Sequence, residues 1–203
     1  MPRPRSLTND QIAAAALAVI DRDGLPALSM RTVATELDRR TMALYRYVED
    51  REEVECLVVD LALGAVLDRA AAEQPTPRAR VLALLELMRE AVGAHPGVLP
   101  LAIRHHRTCR PALRWRERLL EALTDAGLDG PARAAALHAL VAYTIGALEL
   151  EHQGAAPGPT PDAFPLLAAA LATRDTTPAG PAFTAGARTV LDGLGLGLGL
   201  GLG

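Results

Sequence analysis

The sequence predicts an all-α protein. Leucine and alanine dominate a chain with only 3% aromatic residues, and apolar residues recur at three- and four-residue intervals along most of its length. Capping residues stand before several of these runs, and glycine or proline separates them. At 203 residues and 50% hydrophobic content, the chain has ample material for a core, as one large or two small domains. The net charge of −3 hides the local pattern and by itself does not argue for nucleic acid. Arginine supplies every basic side chain other than histidine, which we read as compositional drift.

Thr8 and Gln11 form a capping box that starts a helix whose Ile12, Ala16, Val19 and Ile20 share one face, and Gly24 ends it. Ser29 caps the next helix, about Met30 to Leu37, with Val33, Ala34 and Leu37 on one stripe. The stretch Leu37 to Val48 reads as the turn and second helix of a helix-turn-helix, with its exit. Ala34 supplies the small residue for close crossing and Leu44 the core residue, while Asp38 is among the few side chains that accept a left-handed turn. With Leu44 buried and about 100° per residue, Arg39, Met42, Tyr45 and Arg46 face outward. That cationic, aromatic face fits the DNA major groove, although an Arg-rich face is also an ordinary solvated one.

Asp50 and Glu53 form a further capping box, opening a helix from about Arg51 to Ala72 with Val54, Leu57, Val58, Leu61, Val66 and Leu67 on its apolar side. Gln74-Pro75-Thr76-Pro77 breaks the pattern. A helix is expected over Arg78 to Gly93, interrupted by His95-Pro96-Gly97. A short apolar piece, Val98 to Ile103, then leads into Arg104-His105-His106-Arg107. Pro111 opens the next helix, which runs until Gly127, and Pro131 opens a strongly apolar one ending near Gly154. A helix apolar on nearly all sides is expected to lie half in the core and half in a subunit interface. Ala155 to Pro161 is a loop by composition, Asp162 to Ala172 a shorter helix, Asp175 to Pro181 a loop, and Ala182 to Leu191 a last helix. Leu-Gly repeats fill Gly193 to Gly203 and carry no functional reading.

Arg3 and Arg5 make a short basic arm that either rests on DNA or is a frayed terminus. No apolar segment of a signal peptide follows them, and no uninterrupted apolar run is long enough for a membrane span, so a cytoplasmic protein with no membrane partner is expected. Cys56 and Cys109, far apart in sequence, are expected to be small buried apolar residues, the alternative being a disulfide or a redox sensor. Glu149-Leu150-Glu151-His152 contains one Glu-x-x-His, but a di-iron site needs a second, and none is present. There is no phosphate loop, nucleophile elbow or Cys-His pairing at zinc spacing. The chain is therefore expected to be no enzyme, with no catalytic residue, no cofactor and no resident metal.

From Thr8 to Leu57 the chain resembles the DNA-binding domain of the TetR family of transcriptional repressors. The resemblance rests on Ile12 to Leu17, Asp23-Gly24-Leu25, Leu28 to Ala34, and above all Ala43 to Val48 followed by Asp50 to Val54. Asp38-Arg39 departs from the Gly-Val common there. The second half is similar to the ligand-binding domain of the tetracycline-repressor subclass through Ala142 to His152, Phe164 to Leu167 and Gly180 to Phe183.

The resemblance implies two domains, residues 1–66, a three-helix helix-turn-helix DNA-binding domain, and 67–192, a helical ligand-binding and dimerisation bundle joined to it by the long helix; composition alone sets off 193–203 as the Leu-Gly tail. DNA contacts are expected from Ser29, Arg31, Arg39, Arg40, Thr41, Met42, Tyr45, Arg46, Tyr47 and Arg51, the last at a phosphate. Effector contacts are expected from Arg104, His105, His106, Trp115, Tyr143 and Glu149, polar or aromatic groups among apolar helices. The expected activity is transcription regulation by a homodimeric repressor on a palindromic double-stranded operator, released by a small-molecule effector. The alternative is a helical ligand carrier or interaction protein without sequence-specific DNA binding.

Overall fold

The computed structural model describes residues 7–67, 74–153, 164–176 and 178–196, without the side chains of 65–67 and 173–176. Ten α-helices and two 3-10 turns form its regular structure, with no strand among the described residues. The helices are α1 (Asn9–Asp23), α2 (Met30–Glu36), α3 (Thr41–Leu44), α4 (Arg51–Leu67), α5 (Pro77–Ala94), α6 (Leu99–Arg104), α7 (Arg110–Asp125), α8 (Gly130–His152), α9 (Pro165–Thr176) and α10 (Ala179–Gly193). The 3-10 turns cover Leu25–Ala27 and Pro96–Val98. Arg3, Arg5, the end of the long helix toward Ala72, Val66 and Leu67 as apolar side chains, the Ala155 to Pro161 loop and the Leu-Gly tail beyond 196 lie outside the described residues.

The chain divides into two compact units, Met1–Ala70 with Glu90–Glu117 and Ala71–Arg89 with Arg118–Gly203. The first unit thus includes a stretch beyond residue 66, Glu90–Glu117, and the division falls within α5 and α7.

In the first unit α1 is the hub, packing on α2, on α4 and on the turn at Pro96–Val98. Its capping box is formed as expected, with Gln11 N–H donating to Thr8 Oγ1 at 3.2 Å and Thr8 N–H to Gln11 Oε1 at 3.1 Å. Ile12, Ala16, Val19 and Ile20 are buried together with Val54, Val58, Val59 and Leu63 of α4 and Leu99 and Leu101 of α6. Arg22 pairs with Glu36 at 3.0 Å, joining α1 to α2, and His95 meets Asp21 at 2.8 Å. Gly97 lies so close to α1 that a Cβ would stand 2.7 Å from Ile20 Cγ2.

The α2–α3 turn is a Schellman closure: Asp38 N–H donates to Thr35 O at 3.0 Å and Arg39 N–H to Ala34 O at 2.9 Å. Asp38 takes φ +51, the one non-glycine residue at positive φ among those described, as its turn position requires. Glycine makes the same closure at Gly127, φ +87, after α7 and at Gly195, φ +73, after α10.

In the second unit α8 packs on α10, burying Ala136, Leu140, Val141, Thr144 and Leu148 of α8 and Phe183, Ala187 and Leu191 of α10. Ion pairs join α5 to α10, α7 and α8: Arg78–Asp192 at 2.8 Å, Arg80–Asp125 at 2.5 Å and Arg89–Glu151 at 3.0 Å. Two boundaries differ from the sequence expectation. Helix α9 continues through Asp175 to Thr176, and α10 starts at Ala179, ahead of Pro181. Pro181 falls in the first turn, where its missing N–H leaves no helical bond unmade. By length and composition α8 is apolar enough to cross a membrane, although the sequence offered no uninterrupted apolar run of that length; the core helix of a soluble protein can have the same composition.

Two stability predictions follow from these positions. Asp38→Val, a branched side chain at positive φ, lowers unfolding free energy by about 1–2 kcal/mol in urea denaturation, whereas Asp38→Gly equals or exceeds the parent. Gly97→Ala costs about 1–3 kcal/mol in the same measurement, because the stiff, buried Ile20 cannot yield to the new methyl.

Candidate functional site

Helix α3 has four residues, and a turn follows in which Tyr47 and Val48 N–H both donate to Leu44 O, at 2.8 and 3.1 Å. Leu44 is fully buried, as are Val33 and Ala34 of α2. Anchored this way, the short helix turns Met42 and Tyr45 outward, 74% and 47% exposed, and Arg39, Arg40 and Arg46 are exposed around them. This is the outward face read from the helical period. Thr41 and Tyr47 are half-buried. Arg31 is exposed in the first turn of α2, and the half-buried Ser29 caps that helix, accepting from Thr32 N–H at 3.1 Å. Thr32 Oγ1 in turn accepts from Ser29 N–H at 2.9 Å, a reciprocal box. Arg39 Nη1 donates to Asp38 O at 3.0 Å, holding that guanidinium over the turn.

Arg51, expected at a phosphate, is exposed and carries an ion pair. Its Nε donates to Glu55 Oε1 at 2.8 Å, one turn on in α4. The Glu55 carboxylate is 3% exposed and also accepts from Arg104 Nη1 at 2.9 Å and pairs with His105 Nε2 at 3.0 Å. Burial acts to raise its pKa, but the hydrogen bonds from His105, Arg51 and Arg104 together outweigh it and hold Glu55 below the ordinary carboxylate value. Two of the residues expected to hold an effector, Arg104 and His105, thus converge on a buried carboxylate. His106 Nδ1 donates to Ile103 O at 2.6 Å, and Trp115 is buried in α7.

The remaining two expected effector residues belong to the second unit. Tyr143 donates from its hydroxyl to Phe183 O at 2.5 Å, with the rings 5.5 Å apart, and sits over Gly186, where any Cβ would collide with its hydroxyl. Burial pushes its pKa up. Glu149 is half-buried one turn from the α8 end and accepts from Gln153 at 3.4 Å.

Sequence reading missed one gathering. Cys56, His105 and Cys109 come together with their donor atoms all within 4.8 Å of one another, and both thiols are free. Cys109 is buried as expected and Cys56 half-buried; burial pushes both thiols up. The one available signal was a pair of four-residue spacings, Glu52 to Cys56 and His105 to Cys109, on segments 53 residues apart.

Residues 71–196 match the family described as tetracyclin repressor-like, C-terminal domain. An HTH-type transcriptional regulator of Saccharopolyspora erythraea is 33% identical over 146 residues, 71% of this chain and 61% of that protein. The HTH-type transcriptional repressor DrrR1 of Streptomyces coeruleorubidus is 31% identical over 146 residues, 72% of this chain and 54% of that protein. The chain therefore spans little more than half the length of these curated relatives. A solved structure described as a possible TetR family transcriptional regulator, from Streptomyces coelicolor A3(2), superposes with a TM-score of 0.82 at 27% identity, covering 93% of this chain and 98% of that one. The helix-turn-helix geometry of α2 and α3 and the family match over the C-terminal helices agree: the chain belongs to the TetR family of transcriptional regulators.

Proposed function

We propose that the protein is a homodimeric repressor that reads a palindromic operator and is released from it by a small-molecule effector. The observation that carries the reading is the outward face formed by α3 and its flanking turns, where Arg39, Met42, Tyr45 and Arg46 are exposed around a helix pinned by fully buried Leu44. Arginine there can bridge guanine acceptors, and Met42 and Tyr45 can touch a thymine methyl. Arg31, Arg40, Thr41 and Tyr47 complete the contact set, with Ser29 placing the start of α2. One four-residue helix buries too little for selective binding, so two half-sites about 34–36 Å apart, read by a two-fold dimer, supply the specificity. Helix α8 supports that dimer: its buried stripe faces α10, while Ala132, Ala135, Ala142, Gly146 and Leu150 stay exposed on the rest of its surface.

In this proposal residues 1–66 read DNA and 67–192 hold the effector and the dimer contact. Tyr143 and Glu149 are the effector-facing candidates of the second unit. Arg104 and His105 are engaged by Glu55, and an effector contact there would have to compete with that carboxylate. We assign no catalytic residue; within the Glu-x-x-His stretch, Glu151 is paired with Arg89.

Combined Arg31→Ala and Tyr45→Ala abolishes selective binding to the intergenic DNA beside the gene, measured by fluorescence anisotropy against random DNA, and leaves the dimer intact. Unchanged selectivity would move the carrier or interaction reading to first place. In a salt series, Arg40→Ala lowers the slope of log K against log salt by about 0.9, one phosphate's share. Arg51→Ala, whose guanidinium Glu55 already engages, leaves that slope unchanged.

A further inference from the structure

We propose that Cys56, His105 and Cys109 form a binding site for a thiophilic divalent cation of the zinc class. The donor atoms of the three lie within 4.8 Å of one another. Two sulfurs each about 2.3 Å from a tetrahedral zinc stand about 3.8 Å apart, so side-chain adjustments of roughly an ångström close the site. The donors come from two segments. Cys56 is on α4, and His105 and Cys109 bracket the turn from α6 to α7, closed by Cys109 N–H donating to His105 O at 3.0 Å.

Independent features point to a cation at this place. His105 is 3% exposed and its Nε2 is taken by Glu55, itself fixed by Arg51 and Arg104. That leaves Nδ1 as the donor and makes Glu55 the carboxylate that orients a metal-bound imidazole. Glu52, one turn before Cys56 on the same face of α4, has its Oε1 3.9 Å from His105 Nδ1, and its exposed side chain can swing in as a fourth ligand. Asp60, one turn after Cys56, has a buried Oδ1 with no hydrogen-bond partner. It lies on the face of α4 that carries Cys56; Arg110 and Arg114 act on this carboxylate, but burial outweighs them and pushes its pKa up, so a further cation nearby would be favourable. Two sulfurs and an imidazole select zinc-class ions over magnesium or calcium, which take oxygen. On ligation each thiol releases its proton to solvent, and the two thiolates balance the dication. Glu149 has no part in this donor set, and the site stands whether or not the chain reads DNA. Occupancy would tie α4, the helix that follows α3, to the α6–α7 turn.

The test is a Co2+ titration of the reduced, chelator-treated full-length protein. One equivalent per chain is expected, with thiolate-to-cobalt charge-transfer absorption and the visible bands of a tetrahedral ion, displaced by Zn2+ and untouched by Mg2+. Cys56→Ser and Cys109→Ser each weaken the charge-transfer band and the double variant loses it, with helical circular dichroism reporting the fold. Glu55→Gln weakens binding by about 10–100-fold. In the unaltered chain, Zn2+ protects Cys56 from alkylation, a readout that needs no variant. Absence of the band in the wild-type protein, its persistence in the folded double variant, or unprotected Cys56 at saturating Zn2+ would overturn the site.

Discussion

The Glu55 carboxylate is the interaction on which the first compact unit depends. A carboxylate 3% exposed is tolerated only when its oxygens are satisfied, and Arg51, Arg104 and His105 satisfy them. Through them the first turn of α4 is bound to the last residue of α6 and to the turn that follows. The same contacts fix the His105 ring, so its second nitrogen has a defined direction. Removing the carboxylate would leave a buried imidazole and two guanidinium groups to find other partners, the asymmetry that makes buried polar networks costly to disturb.

The outward face around α3 is built on smaller forces. Two buried residues of α2, one of α3 and one strained aspartate set where the turn goes, and no hydrogen bond from the outward side chains to another element is needed to hold them. Arg39, Met42, Tyr45 and Arg46 are thus presented by the scaffold without being consumed by it. In the second unit α8 divides its surface: the stripe through Ala136, Leu140, Thr144 and Leu148 meets α10, and Tyr143 and Glu151 tie it to Phe183 and Arg89. Its apolar composition exceeds what that one stripe uses, the residue pattern of a helix with a second partner.

By itself the sequence determined the all-α class, most helix starts and the turn chemistry, because caps, glycine closures and the 3.6-residue period are local properties of a few neighbouring side chains. Thr8, Ser29 and Asp50 cap where they were expected to, and Asp38 takes the left-handed conformation. The outward set on α3 followed from one buried leucine and the helical step. Boundaries near Asp175 and Pro181 moved because a proline in a first turn interrupts composition without interrupting a helix.

Only the tertiary structure decided what depends on residues distant along the chain. Arg51 faces a carboxylate one turn away, yet whether that carboxylate is buried depends on α6 covering it. Arg104 and His105, expected at an effector, are drawn to Glu55 across about 50 positions of sequence. Cys56 and Cys109, unremarkable in isolation, become neighbours beside His105 because α4 packs against α6. Local rules fix each helix and its faces; which faces meet is set by the packing of the whole unit, and that is where charges are neutralised and donor atoms are gathered.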